Sequence, residues 1–389
     1  MRDHSAMSGR VILFGATGYT GRLTARSLAQ RGLTNTVLAG RNEVALGELA
    51  AQLRDEHDWD ADVAVADVAN PRTVSALVNS SDDVLISTVG PFSSYGGPAI
   101  EAATSKGAIY LDSTGEPPFI RRVFEYYGPR AHRTGATLLT AFGYDYIPGN
   151  LAGVLALQDA REAGFITERL EIGYFIDSHG SPERTISGGT AASSVAILTQ
   201  SGFAWRDGEI ITERPASHVR EFELDGRRLA GLSLGGTEHF TLPRIDRNLR
   251  EVTVFLGWAG AQTSKMAKLR GALDPFTRIP YSASLVSAVG RKFVKGSSGG
   301  PSAADRAQAR TIAVAEAFVG DRRVGRAVVK GPNPYDLTAD LLAMTADAAR
   351  KGDIGLGSAR RTGALGPADA FGTTSFIRGC RSIGLLAVH

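Results

Sequence analysis

The sequence predicts an α/β protein: a Rossmann-type, doubly wound parallel sheet covered on both faces by helices, followed by a second α+β domain built on a mainly antiparallel sheet. Three observations predict it. An apolar stretch, Val11-Ile12-Leu13-Phe14, runs straight into the glycine-rich turn Gly15-Ala16-Thr17-Gly18-Tyr19-Thr20-Gly21, which opens a helix. Short apolar runs then alternate with helical patterns as far as about Asp145. From about Asn150 that alternation gives way to period-two apolar runs and hairpin signals. A length of 389 residues suits two such domains.

Each element can be justified in turn. Val11 to Gly15 is the first strand, and the helix behind it turns Leu23, Leu28 and Ala29 inward before Gly32 stops it. Thr36 to Ala39 is the second strand. A helix from about Glu43 to Glu56 follows, with Leu46, Leu49, Ala50 and Leu53 on one face. Ala61 to Asp67 is the third strand, and Asn70-Pro71 starts a helix carrying Val74, Leu77 and Val78. Val84 to Thr88, Ile109 to Asp112 and Thr137 to Ala141 supply strands four, five and six. In the second domain Leu170, Ile172, Tyr174 and Ile176 alternate, and Phe222 and Leu224 precede an Asp225-Gly226 hairpin turn. Val252 to Leu256 and Thr311 to Ala315 read as further strands, Gly189 to Leu198 and Pro334 to Arg350 as helices, and Gly296 to Pro301 as a loop.

The glycine spacing carries the first functional reading. Gly15 permits the tight strand-to-helix turn, Gly18 lets the backbone approach a pyrophosphate, and Gly21 allows close packing of helix on strand. The helix N-terminus adds unpaired N–H groups and a positive dipole end. A dinucleotide is therefore expected across residues Gly15 to Gly21. NAD-preferring sites place Asp or Glu about 20 residues beyond the turn, to accept from the ribose 2′-hydroxyl. Here Gly40-Arg41-Asn42 occupies that place. A guanidinium can pair with a 2′-phosphate through two hydrogen bonds, so Arg41 and Asn42 point to NADP(H), with Glu43 the countervailing charge.

Composition narrows the class. The 43 basic and 40 acidic residues leave a net charge of +3, and the bases are dispersed rather than clustered with aromatics, which does not indicate nucleic-acid binding. Cys380 is the single cysteine, no histidine pair falls at i, i+4, and no metal site is expected. The first ten residues lack a signal-peptide core and no apolar run approaches a membrane span, so a cytoplasmic protein without a transmembrane segment is expected.

In an open parallel sheet, ligands gather outside the carboxyl ends of the strands where strand order reverses. That rule selects Ser87-Thr88-Val89-Gly90-Pro91-Phe92 with Tyr95-Gly96, then Asp112-Ser113-Thr114-Gly115-Glu116, then Phe142-Gly143-Tyr144-Asp145-Tyr146-Ile147-Pro148-Gly149-Asn150. Thr88, Val89, Gly90 and Pro91 should lie beside the nicotinamide, and Asp67 and Val68 should flank the adenine. Hydride delivery leaves negative charge that needs a proton donor or polarising group. Tyr146 and Tyr95 are the candidate donors, and Asp145 could orient or relay, or simply cap the helix after Pro148. No Tyr-x-x-x-Lys pair exists: Tyr19, Tyr95, Tyr110 and Tyr281 precede Leu23, Ala99, Thr114 and Leu285 by four.

With these motifs in this order, the chain resembles the saccharopine dehydrogenase-like oxidoreductases, and among them the bacterial trans-acting enoyl reductases. The resemblance extends through Ser187 to Ser193, Pro334 to Ala339 and Gly363 to Gly372. It implies that the Rossmann domain, residues 1–148, is completed by about 335–389, and that residues 149–334 form a domain for substrate binding and dimerisation. It also implies NADPH as hydride donor to an activated double bond in a polyketide or lipid intermediate. Tyr146 departs from the family pattern, in which a small residue usually stands there.

The expected function is NADPH-dependent reduction of an activated C=C bond of a small metabolite, which could be carrier- or lipid-linked. Saccharopine-type C=N or C=O reduction is the alternative, and would draw on arginines such as Arg184, Arg278 or Arg291. A non-catalytic NADP-binding regulatory protein is the alternative of a different class. Residues 273–295 alternate apolar and basic side chains and could associate with a membrane or carrier protein, although an ordinary packed helix fits equally. A homodimer is expected because two-fold dimers are the commonest assembly.

Overall fold

The computed structural model describes residues 9–178, 201–257, 299–355 and 360–388. The chain divides into two compact units, the first made of residues 1–114, 119–145 and 335–383, the second of 115–118, 146–334 and 384–389.

In the first unit β1 (Val11–Phe14), β2 (Thr36–Gly40), β3 (Asp62–Val65), β4 (Val84–Ser87), β5 (Ile109–Asp112) and β6 (Thr137–Leu139) pair in parallel, joined beside β6 by the Gly363–Ala364 strand. The spatial order is β3-β2-β1-β4-β5-β6 and then Gly363–Ala364, so order reverses between β1 and β4. The strands are continuous apolar runs because helices cover both faces: every residue of β1, β2, β4, β5 and β6 is buried. Helix α1 (Tyr19–Gln30) buries Gly21, Thr24, Ala25, Ser27, Leu28 and Ala29. Helix α2 (Glu43–His57) buries the four apolar residues its pattern selects, Leu46, Leu49, Ala50 and Leu53. Asn42 starts α2 as a cap, its side-chain oxygen accepting from the Ala45 N–H at 3.1 Å.

Two strands are shorter than their apolar runs suggest. Strand β6 ends at Leu139: the Ala141 N–H and the Thr140 hydroxyl both donate to the Asp112 carboxylate, and Ala141 takes a positive φ of 58°. Strand β3 stops at Val65, and the Asp67 N–H bonds Thr73 Oγ1 instead. The Pro334–Arg350 helix belongs to this unit: Ser27 Oγ donates to Asp340 at 2.6 Å and the Tyr19 and Tyr335 rings meet edge to face.

The second unit is built on a nine-stranded sheet of β7 (Arg169–Ser178), β8 (Gly202–Arg206), β9 (Glu209–Glu213), β10 (Val219–Leu224), β11 (Arg227–Leu234), β12 (Glu251–Leu256), β13 (Ala309–Val319), β14 (Arg322–Gly331) and the Leu386–Val388 strand. Only the β12–β7 pair is parallel among the described pairings. Asp225 and Gly226 both take positive φ, 50° and 71°, as the two-residue turn between β10 and β11 demands. The last strand pairs with β14, so the chain's final residues go to this sheet and the first sheet gains only Gly363–Ala364 from the C-terminal part. The expected helix at Gly189 to Leu198, the Ser187 to Ser193 motif, the 273–295 stretch and the first part of the Gly296 to Pro301 loop lie outside the described residues.

Candidate active site

The carboxyl ends of β1 and β4 form the centre of the site. The Gly15 and Ala16 N–H groups both bond the Ala39 carbonyl, at 2.8 and 3.1 Å, which bends the chain sharply out of β1. Gly15 sits at φ 92°, and a Cβ there would lie 2.7 Å from Thr88 Oγ1 and 2.9 Å from Val89. A Cβ on Gly21 would stand 2.1 Å from the Gly15 carbonyl oxygen, so only glycine lets α1 start this close to the strand. Gly18 is exposed at the N-cap of α1 with no side-chain cap, and a helix N-terminus presents a positive dipole end to an anion. Thr88 bridges the two strands, its N–H donating to the Phe14 carbonyl at 2.9 Å and its hydroxyl lying 3.2 Å from the Phe14 and Gly15 carbonyls. This cradle fits the pyrophosphate of a dinucleotide. Arg41 is exposed at the end of β2. Asp67 shapes its own turn, accepting from the Ala69 N–H at 3.0 Å, with Val68 half-buried beside it.

The β5 and β6 loops are tied together by one carboxylate. Asp112 is wholly buried and accepts from Thr114 N, Ala141 N and Thr140 Oγ1 at 2.9, 2.9 and 2.8 Å. Burial pushes its carboxyl up to about 6, against the pull of those donors. Asp112 is thus a scaffold for the loops rather than a group presented to a ligand. Thr338, from the C-terminal part of the chain, holds the next turn: its hydroxyl accepts from the Tyr144 N–H at 3.0 Å. Sequence reasoning placed Thr338 at a helix start and missed this role, because a contact across 194 residues leaves no local signal.

The three candidate proton-handling residues have separate fates. Tyr95 ends the four-residue Phe92–Tyr95 helix and is 47% exposed. Tyr146 is 0% exposed, its hydroxyl donates to the Gly115 carbonyl at 3.3 Å, and its ring packs edge-on against Tyr174. A phenol so placed contributes to packing in the core. Its carbonyl is held too, by Asn150 Nδ2 and Tyr174 Oη, both at 2.9 Å. Asp145 differs from both. The residue is half-buried, yet its Oδ1 is buried with no hydrogen-bond partner, and desolvation pushes its carboxyl up to about 7. The helix Ile147–Glu162 begins without a side-chain cap at Tyr146, and that Asp145 oxygen takes no capping bond either.

Among the described residues, no group of three or more His, Cys, Asp or Glu could hold a metal ion, and no helix is long and apolar enough to cross a membrane.

Comparison with known proteins agrees with this geometry. A family model described as a KR domain matches residues 9–90, the segment that holds the cradle. A trans-acting enoyl reductase of Mycobacterium tuberculosis is 38% identical over 143 residues, covering 36% of this chain and 34% of its own length. One from Mycobacterium leprae is 35% identical over 194 residues, covering 49% and 45%. Over these segments the chain is similar in sequence to trans-acting enoyl reductases. It spans less than half the length of these curated relatives. The fold is that of saccharopine dehydrogenase. The yeast enzyme of that name (L-Glu forming) aligns with a TM-score of 0.60 at 13% identity, over 98% of this chain and 99% of its own. A homospermidine synthase of Legionella pneumophila, solved in complex with NAD, aligns at 0.56 and 10% identity, over 98% and 91%.

Proposed function

We propose that this protein is an NADPH-dependent reductase that delivers a hydride to an activated C=C bond of a small, enoyl-type substrate. The observation that carries the reading is the glycine cradle at the reversal of strand order, where Gly15 and Gly21 admit no Cβ and the α1 N-terminus is left uncapped. Residues Gly15 to Gly21 would hold the pyrophosphate, Arg41 the 2′-phosphate, and Thr88 to Pro91 the nicotinamide ribose. Bound there, reduced nicotinamide supplies a hydride. The enoyl preference is supported by the relatives' names. An amino-dicarboxylate substrate would require spare arginines. Arg184, Arg278 and Arg291 lie outside the described residues.

The test is calorimetry with NADPH and NADH on the purified protein, followed by NADPH oxidation with trans-2-enoyl thioesters. NADPH should bind at least tenfold tighter than NADH, and Arg41→Ala should erase that difference. Absence of heat with either coenzyme overturns the reading, and equal affinities overturn the assignment of Arg41.

A further inference from the structure

We propose that Asp145 is the acid that protonates the substrate once hydride has been delivered. The proposal rests on the reductase reading above and adds to it the group that completes the reduction.

Reduction of a C=C bond conjugated to a carbonyl needs a proton donor within reach of the carbon or oxygen that gains charge. The carboxyl ends of β4, β5 and β6 offer Tyr95, Asp112, Asp145 and, just beyond, Tyr146. Asp112 spends its oxygens on three donors. Tyr146 is sealed in the core with its hydroxyl on a carbonyl. Tyr95 stands in water at the end of a single helical turn. Asp145 alone of the four keeps a buried carboxyl oxygen without a hydrogen-bond partner.

A buried polar atom without a partner costs on the order of 1–3 kcal/mol, so native proteins rarely keep one without a use. Nor is the gap a product of loose backbone. On one side the Tyr144 N–H is fixed to Thr338, and on the other the Tyr146 carbonyl is held by Asn150 and Tyr174. Tyr174 is itself locked by Glu238 Oε1 at 2.5 Å and by the Gly149 N–H at 2.8 Å. The main chain on either side of Asp145 is therefore pinned while its carboxyl oxygen is left unused, which is the arrangement of a preorganised reactive group. Burial raises the carboxyl toward neutrality, and desolvation is the cause with no charged neighbour contributing. Near pH 7 a substantial fraction of the molecules then carry the proton the reaction consumes.

The step balances. The β-carbon of the enoyl substrate accepts the hydride from reduced nicotinamide, and the C=C π pair shifts toward the carbonyl as an enolate. The O–H bond of Asp145 breaks as the new Cα–H bond forms, the carboxylate keeps that electron pair, and solvent returns a proton to it.

Two measurements on the full chain decide the matter. In protein labelled with 13C-aspartate, the carboxyl resonance that disappears in Asp145→Asn should titrate near pH 7, with or without NADPH; titration near pH 4 overturns the proposal whatever substrate is used. With crotonoyl-CoA as probe, Asp145→Asn should lose about 100-fold or more in kcat while its NADPH affinity stays within threefold of the parent's. A variant Asp145→Asn that turns crotonoyl-CoA over within threefold of the parent overturns the proposal. Failure of the parent itself to bind NADPH in the same calorimeter counts against the reductase reading, and the titration still reports on the acid.

Discussion

The turn after β1 and the turn after β6 stand at the carboxyl ends of the same sheet and are built on opposite principles. In the first, Gly15 to Gly21, side chains are removed so that backbone can fold tightly into a helix N-terminus. In the second, Gly143 to Pro148, the backbone is tethered by remote side chains and one carboxyl oxygen is left without a hydrogen bond. On the proposed reading the first turn binds coenzyme, and its requirements are local: chain direction, φ and the missing Cβ. The second would supply the acid, and its requirement, a desolvated carboxyl, exists only once the chain has folded around it.

The largest effect that could break this contrast comes from filling the cradle. Gly21→Val puts branched carbon where the Gly15 carbonyl already stands 2.1 Å from a bare Cβ. We expect a loss of about 3 kcal/mol in denaturant unfolding, the upper end for overpacking, together with loss of coenzyme heat. A variant that folds and binds normally would show the cradle to be ordinary packing.

Next comes Arg41→Ala, which should weaken NADPH by about 10- to 100-fold, the equivalent of about 1.5–3 kcal/mol for hydrogen bonds to a charged group, and leave NADH unchanged. Side-by-side titrations with the two coenzymes separate that outcome from general damage.

The second turn is sharpened by the pH dependence of stability. Asp145 has a folded-state value raised to about 7 against an ordinary value of 3.8. The folded protein therefore holds this proton more tightly than the unfolded chain. The group is free of penalty below about pH 4 and costs stability as pH rises through 7. Asp145→Asn removes the ionisation, so between pH 5 and pH 8 it should lose less stability than the parent, by about 1–2 kcal/mol after allowance for partial exposure. Melting curves at both pH values check this, and parallel curves would place Asp145 in an ordinary solvated environment.

The smallest expected effect is that of Tyr146→Phe. Removing a hydroxyl that donates to the Gly115 carbonyl should cost about 1 kcal/mol in unfolding free energy. A much larger loss of turnover than of stability would return the phenol to the chemistry.

Much of this was legible without coordinates. The strands β1 to β5, the four buried residues of α2, the Asp225-Gly226 turn and the Pro334–Arg350 helix all follow from periodicity and turn chemistry acting over a few residues. Most of what misled was long-range. Thr140 and Ala141 look like strand but lie past its end and donate to Asp112. The final strand reads as an extension of the first unit but pairs with β14. The sequence carries no sign that Gly115 and Tyr174 enclose Tyr146.

The order of residues by itself determined the doubly wound sheet, the cradle and the charge at the end of β2, because glycine, arginine and alternating apolar residues act through the local backbone. Tertiary structure alone decided which of four acidic or phenolic groups kept an unused oxygen. Whether a carboxyl is solvated or desolvated depends on what the rest of the chain places around it, and no spacing along the sequence encodes that.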